Sequence, residues 1–281
     1  MGKIIWLASY PKSGNTWLRA FLHNLLSQAD RDDDRGYDIN RITDLSIGDS
    51  TLDLFQPFLK KPWNNWTIEE ITAVRGAVQQ AICQRQDGNV FVKTHNALID
   101  YGGRPLIYPE TTAGAIYVVR NPLDVCISLS HHFSASLDWA IETMNNDRLG
   151  IATNETNVHQ VYRSWSTHVA SWTRASGPRL LVLRYEDLLQ NTTQAFGKIA
   201  KFLAIPHTPN TLATAIDHAS FGKLRAQEEQ AGFNERPASA ARFFRVGKAG
   251  QWREQLSQAQ IDSIVAIHRD QMLRFGYWPL K

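Results

Sequence analysis

Several stretches of this 281-residue chain carry residues whose types and spacing suit the grip of a phosphorylated anion. The first reads Tyr10-Pro11-Lys12-Ser13-Gly14-Asn15-Thr16-Trp17, between a short apolar run and a stretch of helical spacing. A turn that opens a helix directs backbone N–H groups and the positive helix end at an anion. Gly14 permits close backbone approach, Lys12 brings a mobile charge, and Ser13, Asn15 and Thr16 bring donors. The pattern GxxxxGK[ST] is absent, because Lys12 precedes Gly14, and a Mg²⁺–nucleoside triphosphate site is disfavoured. The plain structural alternative is a strand–turn–helix corner with a capping threonine. In the second stretch, Arg120 and Ser128 stand eight apart across a strand-to-helix turn, close enough to converge on one anion. Arginine offers a two-pronged fork for phosphate oxygens. The third, Phe244-Arg245-Val246-Gly247-Lys248-Ala249-Gly250-Gln251-Trp252-Arg253, sets two glycines among cations and can fold backbone N–H groups over a phosphate. Lys93-Thr94-His95 ends an apolar run; His95 is a general-base candidate or a hydrogen-bonded histidine at a strand end. Trp17, Tyr185 and Phe221 offer flat faces for a base, or for the core.

The elements that must position these residues can be read from periodicity. Residues 4–9, 90–93, 115–120 and 180–184 are short apolar runs of strand length. Helical spacing covers 16–27, 67–85, 122–132, 157–175, 193–203 and 257–275. Thr67-Ile68-Glu69-Glu70 forms a capping box, Pro122 suits a first helical turn, and Thr208-Pro209 opens a further helix. Residues 28–66 are polar and read as an irregular insertion with short helices, with an acidic run at Asp32–Asp34 that reads as solvated loop. Residues 221–250 are polar and basic and read as a long loop. Strands alternating with helices predict one α/β domain over residues 1–281, with a central, mostly parallel sheet of four or five strands flanked by helices, P-loop-like in kind. In such sheets ligands bind at the carboxyl edge, where His95 falls. Residues 28–66, 134–156 and 221–250 are the expected walls of an acceptor site and a lid over the bound nucleotide.

Composition narrows the class. A net charge of +3 is too mild for a nucleic-acid partner, and no apolar run reaches membrane-span length. The apolar run at the N-terminus is too short for a signal peptide. Cys83 and Cys126 lie in apolar helical patterns and read as buried thiols, consistent with the cytoplasm. Adjacent histidines His131 and His132 diverge by about 100° on a helix, so no metal site is expected there. Trp63 and Trp66 are core anchors or acceptor-pocket walls.

Residues 10–17 resemble the 5′-phosphosulfate loop of sulfotransferases that use 3′-phosphoadenosine 5′-phosphosulfate (PAPS), whose usual form is YPKSGTTW. Arg120 and Ser128 resemble that family's 3′-phosphate motif, and residues 245–253 its RKGxxGDWK segment. The departures are Asn15 for threonine, Val246 for lysine, Gln251 for aspartate, Arg253 for lysine, and Ala219 where threonine is frequent. The family's KTVE-type dimer motif is not visible in 251–281, which leaves the oligomeric state open. The resemblance implies PAPS as donor, a small-molecule acceptor and no metal. It implies nucleotide contacts from Lys12, Ser13, Gly14, Asn15, Thr16, Trp17, Arg120, Ser128, Tyr185, Phe221, Arg245 and Gly247. It makes His95 the base that takes the acceptor proton, with Lys93 beside the sulfonate and Lys12 at the bridging oxygen. The rival expectations are a P-loop nucleotide phosphotransferase and a nucleotide-binding module without catalysis.

Overall fold

A computed structural model of the chain gives the placement of residues 2–27, 36–174 and 179–279. Five parallel strands form its centre: β1 (Ile4–Ser9), β2 (Ser46–Gly48), β3 (Val90–Thr94), β4 (Thr112–Val119) and β5 (Leu180–Arg184), in the order β2-β3-β1-β4-β5. All five carboxyl ends therefore lie on one edge. Parallel strands need crossovers and a cover on both faces. The pleat divides the side chains accordingly. Ile4, Trp6 and Ala8 of β1, with Ala115, Tyr117 and Val119 of β4, enter one apolar layer. Leu7, Ile116 and Val118 enter the other. Each such aliphatic side chain contributes roughly 1.5–3 kcal/mol on burial.

The first layer is closed by α2 (Ile68–Cys83), α3 (Pro122–Phe133), α4 (Leu137–Asn145), α5 (Trp165–Arg174) and α10 (Gln258–Arg274). The second is closed by α1 (Asn15–Ser27), α7 (Thr192–Phe202) and α8 (Pro209–His218). A short helix, α6 (Tyr185–Gln190), follows β5 directly. The expected caps are present: Thr67 and Glu70 reciprocate across the start of α2, and Thr208 caps α8. Both cysteines are buried free thiols. Trp66 is a core side chain and Trp63 packs against it.

Three expectations are corrected. The helix placed at 157–175 begins only at Trp165, and residue 175 lies outside the described residues. Ahead of it, Gln160–Val161 pairs antiparallel with Gly150–Ile151, and the Ser164 hydroxyl accepts the N–H of Thr167 at the true helix start. Residues 221–250 are not one loop, because α9 (Phe221–Ala231) occupies their first third. That helix buries only Leu224 and Glu228, too few positions to show a period. The irregular stretch 28–66 supplies the edge strand β2, in which Ile47 is the one large apolar residue. The Asp32–Asp34 run lies outside the described residues.

Candidate active site

The turn after β1 is set by its backbone. Lys12 has φ 65° and Gly14 φ 105°, both in the left-handed region, and the Gly14 carbonyl accepts the N–H of Leu18 to begin α1. A Cβ on Gly14 would lie 2.7 Å from Tyr185 Cδ2, so only glycine lets the turn meet that ring. Asn15 does not aim its amide outward: its Nδ2 donates to the Leu7 carbonyl at 2.8 Å and tethers the turn to β1. The Ser13 hydroxyl is buried without a protein partner.

Arg120, at the end of β4, joins the separate stretches. Its Nη1 donates to the Lys12 carbonyl at 3.0 Å and its Nη2 to the Lys248 carbonyl at 3.2 Å. Its guanidinium lies 4.3 Å from the centroid of the Tyr185 ring. The side chain is 7% exposed, its Nε has no partner, and no carboxylate among the described residues forms an ion pair with it. A buried, unneutralised cation that meets only carbonyls and a ring is a site for an external anion.

Two carboxylates that sequence reasoning assigned no such role hold this region together. Asp124, in the first turn of α3, accepts the N–H of Gly250 at 2.7 Å and of Trp252 at 3.2 Å. Glu186 accepts the Asn121 N–H at 3.0 Å and the Tyr277 hydroxyl at 2.7 Å. Gly247 has φ 66°, and a Cβ there would lie 2.3 Å from Phe221 Cδ2, so the glycine loop rests on that ring. Arg245 Nη2 donates to Gln251 Oε1 at 2.7 Å. Trp17 meets Tyr185 and Phe196 edge-on, with centroids 5.8 and 5.3 Å apart.

His95 follows β3. Its Nδ1 lies 2.8 Å from the Ser9 carbonyl oxygen, which only accepts, so the ring proton sits on Nδ1 and the Nε2 lone pair is free. Burial, then the nearby Lys93 charge, pushes its pKa down to about 3. From behind, His168 Nε2 donates to the His95 carbonyl at 3.0 Å, and the Tyr117 hydroxyl donates to His168 Nδ1 at 2.8 Å. Lys93 is held below its ordinary range by burial, against the opposing pull of Glu235. Glu235 Oε2 lies 3.4 Å from Lys93 Nζ, and its two oxygens accept from Arg19 Nη1 at 2.7 and 2.9 Å. Burial alone would raise the Glu235 pKa, but Lys93 and Arg19 overcome it and hold it at about 2. Lys12 falls to about 7 through burial, then through Lys93 and Arg120. Its ammonium donates to His132 Nδ1 at 3.0 Å.

At the carboxyl edge of the sheet lies one cavity of about 380 Å³. The turn residues Lys12, Gly14, Asn15, Thr16 and Trp17 reach it, as do Lys93, His95, Arg120, Ser128, Tyr185, Phe221, Arg245 and Gly247. Ser13 is the one expected site residue that does not line it. At the His95 end the wall is Gly48 at the end of β2 and Asp49 and Ser50 after it, with Asn157, Gln160 and Tyr162. Residues 134–156 contribute nothing to the wall, although Phe133 and Asn157 beside them do. Sequence reasoning missed Glu235, Phe243 and the seat of Asp49. A lone acid in a polar segment gives no signal of what it pairs with. Among the described residues no group of acids, histidines and cysteines could hold a metal ion, and no helix is long and apolar enough to cross a membrane.

The family model of the sulfotransferase domain matches residues 3–276. The 3-beta-hydroxysteroid sulfotransferase of Cavia porcellus is 25% identical, over 96% of this chain and 83% of that one. The flavonol 3-sulfotransferase of Flaveria bidentis is 24% identical, over 92% and 78%. Among solved structures, mouse sulfotransferase SULT7A1 complexed with PAP superposes with a TM-score of 0.63 at 19% identity, over 96% of this chain and 84% of that one.

Proposed function

The chain belongs to the sulfotransferase domain family, and from that premise we propose that it transfers a sulfonate group from PAPS to a hydroxyl or amine of a small-molecule acceptor. One observation carries the reading. The turn at Lys12 and the pair Arg120 and Ser128 line the same cavity, and Arg120 Nη1 is bonded to the Lys12 carbonyl, so one doubly phosphorylated nucleotide can bridge them. An orphaned donor fits such a ligand: Arg120 Nε is buried without a protein partner. The structural relative named as bound to PAP, and the relatives named for hydroxysteroid and flavonol sulfonation, favour the same donor and a small hydroxylated acceptor.

In this reading Arg120 and Ser128 hold the 3′-phosphate, while the 12–16 turn holds the 5′ end. Trp17, Tyr185 and Phe221 enclose the adenine, and Arg245 and Gly247 cover it. PAPS supplies the sulfonate and leaves as 3′,5′-adenosine bisphosphate. His95 Nε2 takes the proton of the acceptor as the new bond to sulfur forms. Lys93 offsets charge on the sulfonate oxygens, and Lys12 meets the bridging oxygen as its bond to sulfur breaks. Fixed positive donors of this kind are worth more in a water-poor site than in solution. They also suit a transfer in which most of the catalysis is positioning.

The test is transfer of labelled sulfonate from PAPS to a panel of phenols, alcohols and amines. His95→Ala is expected to lower turnover by roughly 10²- to 10⁴-fold, the usual worth of a general base. Calorimetric binding of 3′,5′-adenosine bisphosphate should survive that change. Full activity in His95→Ala removes His95 as the base. Tighter binding of Mg²⁺-ATP than of the bisphosphate would replace the whole reading with a phosphotransferase.

A further inference from the structure

His132 has no part in the transfer just described, yet its ring nitrogen is the hydrogen-bond partner of the Lys12 ammonium. The two nitrogens are 3.0 Å apart, and the same ammonium lies 4.2 Å from the centroid of the Phe243 ring. An ammonium only donates, so His132 Nδ1 accepts and the imidazole proton sits on Nε2. His132 stands four residues after Ser128 in α3, which puts both on one face of that helix, and both line the cavity.

The groups around Lys12 show why an acceptor is needed there. Lys93 in β3 and Arg120 after β4 oppose its charge, while Glu235 and Glu228 favour it from the segment that begins with α9. Glu228 is committed to the N–H groups of Phe243 and Phe244, and Glu235 to Arg19 and Lys93. Neither carboxylate forms an ion pair with Lys12. The imidazole is uncharged, since burial, then Lys12 and Lys93, pushes the His132 pKa down to about 3. It therefore offers a lone pair without adding to the positive crowd.

We propose that His132 is a positioning residue for the transfer: its Nδ1 lone pair holds the Lys12 ammonium, charged and oriented across the cavity, until the bridging oxygen of the donor takes that hydrogen bond over. This rests on the reading that Lys12 serves the bridging oxygen. A hydrogen bond to the charged form raises the pKa of a lysine, so its removal must lower it.

Two measurements test it. Competitive acylation across pH, in the protein without nucleotide, reads the Lys12 titration and needs no turnover. His132→Phe should move the Lys12 midpoint down by about one pH unit, the usual worth of a hydrogen bond to a charged group. His132→Leu gives the same comparison where phenylalanine disturbs the packing. His132→Asn, which sets Oδ1 where Nδ1 stood, should bring most of the midpoint back. In turnover, kcat/KM for PAPS in His132→Phe should fall about tenfold at pH 8, and by less than about threefold at pH 5.5, where Lys12 is charged in both proteins. A Lys12 midpoint that does not move overturns the proposal, as does a loss of kcat/KM that is the same at every pH. Wild-type protein that moves no sulfonate from PAPS overturns the functional reading instead, and leaves the Lys12 titration readable.

Discussion

At the scale of single residues, the cavity is a set of cations with two resident acids, Asp49 and Glu235. Glu235 is the group whose charge can be followed most directly. Its pKa in the folded chain, about 2, lies below its ordinary value of 4.5. A depressed carboxylate stabilises the fold above its unfolded value and loses that contribution as pH falls through its folded value. The Tm advantage of wild type over Glu235→Gln should therefore be full above pH 4.5 and close between pH 4.5 and about 2. By linkage it is worth at most about 3 kcal/mol. A difference that is flat across that window would mean the carboxylate is not paired in solution. Lys12 points the other way. With its midpoint near 7, kcat/KM for PAPS should decline as pH rises above 7, while His95, near 3, stays an available base throughout.

At the scale of elements, Gly14 and Gly247 each combine a left-handed backbone with an aromatic ring where a Cβ would fall. Gly247→Ala meets both a left-handed backbone, at roughly 1–2 kcal/mol, and the ring of Phe221. The affinity for 3′,5′-adenosine bisphosphate should drop at least about tenfold by calorimetry. Gly222→Ala, inside α9 with open space around its Cβ position, is the control and should if anything raise Tm. The strands and helices that hold the phosphate turn, Arg120 and His95 were legible because buried parallel strands read as short apolar runs and capped helices announce their ends. β2 was not, since a three-residue strand with Ile47 as its one large apolar residue has no pattern to detect. α9 hid for a related reason. It leans on Glu228, whose carboxylate takes two backbone N–H groups sixteen or fewer residues away, and polar tethering leaves no hydrophobic period. Asn15 was legible as a turn residue but not in its direction, because only the register of the turn against β1 turns its amide inward.

At the scale of the whole molecule, the sheet edge gathers groups from residue 11 to residue 251 into one cavity. A ligand that spans it should stabilise the entire fold. At a hundredfold excess over its Kd, 3′,5′-adenosine bisphosphate should add about 2.7 kcal/mol. For a chain of this size that corresponds to a Tm rise of roughly 5–10 °C. The rise should nearly vanish in Arg120→Ala, and an equal rise in that variant would mean the nucleotide sits elsewhere. The Asp124 carboxylate adds a directional constraint. By clasping Gly250 and Trp252 it pins the far end of the covering segment to the same helix that carries Ser128. At its other end the same segment is held where Glu235 pairs with Arg19 and Lys93, and those ion pairs are therefore the clasp opposite Asp124.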